Sequence, residues 1–93
     1  MTVKDAISKK VKEELEKRGI TQYRLAKMAG VPKSTISMIL ANDGLKSIRL
    51  SSLIAICSAL EIELKDFFNE KYFALSNITA DTLEKSSTEE LTL

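Results

Sequence analysis

Three observations make the sequence read as an all-α domain of five short helices followed by a C-terminal tail. Apolar residues recur every three or four positions over the first sixty residues, which gathers them on single helical faces. Gly19 and Gly30 stand where such stripes stop, as left-handed residues that close a helix do. From Leu50 to Leu60, positions 50, 53, 54, 56, 57 and 60 nearly encircle a helix, which marks it as the central element of the core.

The first helix spans about residues 4–18, with Ile7, Val11 and Leu15 inward, Thr2 as N-cap three residues before Asp5, and Gly19 at the exit. Thr21 offers a second N-cap, and Gln22 to Ala29 place Leu25, Ala26 and Ala29 on one side before Gly30. Pro32 is tolerated in a first helical turn, so a third helix runs from there to about Leu40 with Ile36, Ile39 and Leu40 buried. Asn42-Asp43-Gly44 signals a turn, and the polar stretch through Lys46, Ser47 and Arg49 reads as an exposed loop. Ser47 or Ser51 is positioned to cap the fourth helix. Glu63 to Asn69 reads as a fifth, with Leu64, Phe67 and Phe68 inward. These elements form one domain over residues 1–70, and residues 71–93 are an extension. Its Ser-, Thr- and Glu-rich part from Ser76 is either a frayed helix or a mobile tail.

Composition narrows the function. The 93 residues hold no His and one Cys, which excludes a Cys/His zinc site, a Ser-His-Asp triad and a disulfide framework, so no catalysis, metal or cofactor is implied. Cys57, in an apolar run, reads as core. A chain this small buries only about 60–65% of its unfolded surface, which favours binding at a surface over a deep cleft. No signal-like or membrane-length apolar run occurs, so the expected location is the cytoplasm. The formal charge of +1 conceals a division: residues 1–49 carry eleven Lys/Arg against five Asp/Glu, and residues 50–93 carry three against eight. The basic half points to a polyanionic partner. Lys9, Lys10, Lys12, Lys17 and Arg18 alternate with Glu13, Glu14 and Glu16, the pattern of a solvated outer face.

The informative constellation is Ala26, Gly30, Val31, Ile36 and Ile39. Two helices crossing over a short turn need a small residue at their close approach, a left-handed residue in the turn, and apolar residues locking the second helix onto the first. Ala26, Gly30 and the pair Ile36/Ile39 meet these needs. The run Ile20-Thr21-Gln22-Tyr23-Arg24-Leu25-Ala26-Lys27-Met28-Ala29-Gly30-Val31-Pro32-Lys33-Ser34-Thr35-Ile36-Ser37 resembles the Cro/CI-type, or XRE, helix-turn-helix family. The resemblance continues through Leu50–Leu60 and Leu64–Phe68, covering about residues 7–69.

It implies a lambda-repressor-like fold whose second hairpin helix enters the DNA major groove. By the same resemblance Lys33, Ser34, Thr35 and Met38 face bases, with chemistry suited to guanine edges and thymine methyls. Gln22 meets a phosphate, joined by Tyr23, Arg24, Lys27, Lys46, Ser47, Arg49 and Ser51. Three departures from the family pattern stand out. The loop at residues 40–44 is slightly long, Pro32 replaces the usual Ser or Thr cap, and Glu61 stands where a helix-ending glycine is common.

Phe67, Phe68, Tyr72 and Phe73 crowd into seven residues and suggest a dimer patch. The resulting expectation is a sequence-specific, double-stranded-DNA-binding regulator, a repressor occupying an operator as a homodimer. The alternative is a protein-interaction module, such as an antitoxin or adaptor, built on the same fold.

Overall fold

In the computed structural model, which describes residues 2–41 and 48–78, the five helices are α1 (Val3–Arg18), α2 (Gln22–Ala29), α3 (Lys33–Ala41), α4 (Leu50–Leu60) and α5 (Leu64–Phe67). Single 3-10 turns follow at Lys71–Phe73 and Leu75–Asn77, and no strand occurs among the described residues. The all-α expectation holds. The turn at Asn42-Asp43-Gly44, Lys46, Ser47 and the tail from residue 79 lie outside the described residues.

Local chemistry explains the boundaries. Thr2 Oγ1 accepts from the Asp5 backbone N–H at 3.0 Å while Asp5 Oδ2 accepts from the Thr2 N–H at 3.1 Å, a complete capping box. Thr21 accepts from the Arg24 N–H at 3.1 Å and starts α2. Three helices then end in the same way. Gly19, Gly30 and Glu61 adopt left-handed φ of 64°, 69° and 57°. The next N–H, from Ile20, Val31 and Ile62, donates back to Leu15, Ala26 and Cys57. This is the Schellman arrangement, and its apolar C″ residue packs inward each time. Glu61 therefore makes the turn that a glycine commonly makes.

α2 packs between α3 and α4, and α1 packs against α3. Val11, Leu25, Ile36, Ile39, Ile56, Leu60 and Phe67 are fully buried at the common core, and Cys57 joins them. At about 25 cal/mol per Å² of apolar surface removed from water, this shared core is the main term holding five short helices together.

Several expectations are corrected. α4 is not encircled by core: Leu53, Ile56, Cys57 and Leu60 are buried, but Leu50 is 63% and Ile54 47% exposed, because no described element covers that side. Its N-cap is Arg49, without a side-chain cap bond, so Ser51 lies inside the helix. α3 begins at Lys33, after Pro32, whose carbonyl accepts from the Thr35 N–H at 2.9 Å. α5 is a single turn, shorter than the predicted 63–69.

The charged side of α1 is not wholly solvated either. Lys10 and Glu14 are buried. Lys10 Nζ lies 3.2 Å from Glu14 and 2.6 Å from Glu70, and Arg18 Nε lies 3.0 Å from Glu14. Glu70 reaches this cluster from beyond α5. Tyr72 donates its hydroxyl to Glu13 at 2.5 Å, its ring lies 5.3 Å from Lys9 Nζ, and Phe73 packs against Phe67 and Phe68. Residues 70–73 thus form a strap across α1.

Candidate nucleic-acid interface

The site is the outer surface of the α2–α3 hairpin. Gly30 supplies the left-handed turn between the helices, and no atom lies within 4 Å of where a Cβ would stand. Backbone conformation, and not lack of space, is what calls for glycine there. Ala26, Ile36 and Ile39 are buried, and Val31 is half-buried against the core.

With the apolar sides turned inward, the remaining positions face out. Lys33 and Ser34 are exposed at the start of α3, and Thr35 and Met38 are half-buried beside them. Gln22, Tyr23, Arg24 and Lys27 are exposed on α2, as are Arg49 and Ser51 at the start of α4. Lys46 and Ser47 belong to the segment outside the described residues. Of the aromatic patch, Phe67 is fully buried and has no surface to offer a partner, which removes it from the predicted dimer patch. Its ring instead supports Phe68 and Phe73 at centroid distances of 5.2 and 6.0 Å. Phe68 remains 37% exposed, and Tyr72 and Phe73 are half-buried.

Electrostatics separates this surface from α1. On α1, Lys9, Lys10 and Arg18 are each paired with a glutamate. Burial alone pushes the Glu14 carboxyl up, but hydrogen bonds from Arg18 and Lys10 outweigh it and hold Glu14 below the usual range. Burial likewise pushes Lys10 down, and its bonds to Glu70 and Glu14 overcome this, leaving its pKa raised. On the hairpin side, by contrast, none of Arg24, Lys27, Lys33 or Arg49 has a carboxylate partner among the described residues. The first turns of α2 and α3 contain no acidic residue, so their N-terminal partial positive charge is not offset there. Such a surface attracts a polyanion and presents backbone N–H groups to phosphate.

The helix-turn-helix family pattern matches residues 11–67, well over half of the chain and spanning the hairpin and α4. The chain belongs to this family, of the XRE or Cro/CI type. Helix-turn-helix proteins of this kind are DNA-binding transcription regulators, and this chain carries the hairpin in full. No curated protein and no solved structure matches the chain. Among the described residues no helix is long and apolar enough to cross a membrane.

Sequence reasoning missed two features beside this interface. The contact of Lys27 with the Tyr23 ring, at 5.2 Å, was signalled by an aromatic residue and a lysine four positions apart on one helix. The Lys10–Glu70 bond joins residues sixty positions apart and had no local signal.

Proposed function

We propose that this helix-turn-helix protein is a cytoplasmic transcriptional repressor that occupies an operator as a homodimer, with α3 in the major groove. Lys33, Ser34, Thr35 and Met38 read base edges, while Gln22, Arg24, Lys27, Lys46, Ser47, Arg49 and Ser51 set the domain on the phosphates and Tyr23 assists them from the same face of α2. The observation that carries this reading is the set of exposed cations around the hairpin that have no carboxylate partner among the described residues, beside first turns of α2 and α3 that hold no acidic residue. Repression requires only that DNA be occupied. Phe68, with Tyr72 and Phe73 behind it, offers partly exposed apolar surface for pairing.

The test is selection of binding sites from a randomised duplex pool at near-physiological salt, where non-specific attraction is weakened. Two inverted half-sites about one helical turn apart are expected. A single enriched half-site would mean reading as a monomer, and no enrichment would favour the protein-interaction module.

A further inference from the structure

We propose that Tyr23 serves DNA binding through its ring and not its hydroxyl, as a positioning residue that holds the Lys27 ammonium on the outer face of α2. This rests on the DNA-binding reading above and deepens it. Tyr23 and Lys27 stand one helical turn apart, and Lys27 Nζ lies 5.2 Å from the ring centroid, within the range in which an ammonium is attracted to an aromatic face. The ring is 55% exposed, so it is not part of the core, and among the described residues its hydroxyl makes no hydrogen bond. An exposed tyrosine with an unused hydroxyl and an occupied ring face has its visible interaction in the ring.

The placement of Lys27 adds a second argument. It belongs to the last turn of α2, where the helix dipole favours a cation near the C-terminal carbonyls. The contact with Tyr23 draws the ammonium back toward the first turn, which contains Arg24 and no acidic residue. That gathers positive charge at the end of α2 where the dipole disfavours it. An arrangement that concentrates like charge suits an anion arriving from outside. A lysine already confined by a ring also has less rotamer freedom to lose when it meets a phosphate.

The experiment measures the affinity of the full chain for a mixed-sequence duplex across salt concentrations, because phosphate contacts are independent of sequence. Lys27→Ala is expected to reduce the slope of log K against log salt by about 0.9, the value for one phosphate. Tyr23→Leu is expected to weaken binding by about two- to fivefold, the range of an exposed cation–π contact. Tyr23→Phe, which keeps the ring, binds as the unmodified protein does, and Tyr23→Leu adds nothing once Lys27 is alanine. In the free protein, the Lys27 side-chain protons carry a ring-current shift that persists in Tyr23→Phe and disappears in Tyr23→Leu. Loss of affinity in Tyr23→Phe equal to that in Tyr23→Leu would assign the role to the hydroxyl and overturn the proposal. Independent losses in the double variant, or no effect of Tyr23→Leu, would overturn it too while leaving DNA binding intact. Failure of the unmodified protein to bind duplex at any salt would remove the DNA reading itself, and this inference with it.

Discussion

Glu61 shows how much one backbone angle can carry. At φ 57° it closes α4 in a conformation that glycine adopts freely and other L-residues adopt at a cost of roughly 1–2 kcal/mol. The turn is retained because Ile62 beyond it is anchored in the core and its N–H bonds to Cys57 at 2.9 Å. Glu61→Gly is therefore expected to stabilise the fold by about 0.5–1 kcal/mol, after the larger backbone entropy of an unfolded glycine is subtracted. Urea unfolding measures this, and a destabilised variant would show that the glutamate side chain has a compensating contact. The position was legible in the sequence as a departure from the family pattern. Its consequence was not, because glutamate has no propensity that announces a left-handed angle.

Among the elements, α1 shows most clearly why periodicity is an incomplete guide. Its stripe of Ile7, Val11 and Leu15 was evident, but Lys10 and Glu14 carry the same charged side chains as their solvated neighbours. What buries them is the strap of residues 70–73, brought back by α5 and seated by Phe73. Glu13, through the Tyr72 hydroxyl, and Glu14, through Arg18 and Lys10 against the opposing effect of burial, both have folded pKa values below 4.5. Depressed carboxylates contribute stability that is complete above the unfolded value and is lost as pH falls through the folded ones. Stability should accordingly decline below about pH 4.5. Tyr72→Phe should lose stability at neutral pH and show a smaller further loss on acidification, because Glu13 no longer has its donor. Unfolding midpoints at pH 7 and pH 3 compare the two proteins, and parallel losses would mean that Tyr72 does not act through Glu13. Lys10 works in the opposite direction, its raised pKa keeping the ion pairs intact until the pH passes above 10.5.

At the scale of the whole molecule, charge is divided between a basic N-terminal half and an acidic C-terminal half. The fold uses the first for two ends, pairing Lys9, Lys10 and Arg18 of α1 with glutamates while leaving Arg24, Lys27, Lys33 and Arg49 exposed. If Arg24, Lys27, Lys46 and Arg49 each meet a phosphate, log K for duplex should fall against log salt with a slope of about −3 to −4 per domain. Lys33→Glu, at an exposed site, should leave thermal stability nearly unchanged and weaken duplex binding at every salt concentration. Affinity indifferent to salt would rule out this electrostatic surface as the binding face. The amino-acid order alone determined the succession of helices, the Thr2 and Thr21 caps and the hairpin, because these depend on residues within a turn or two of one another. The same holds for the joint of Ala26, Gly30, Ile36 and Ile39 and for the outward position of Lys33. Packing of distant segments decided the rest: that Leu50 and Ile54 face outward, that Phe73 seats the strap on Phe67 and Phe68, and that Glu70 neutralises Lys10. Burial and ion pairing are properties of what lies across from a residue, and nothing in its own neighbourhood along the chain encodes that.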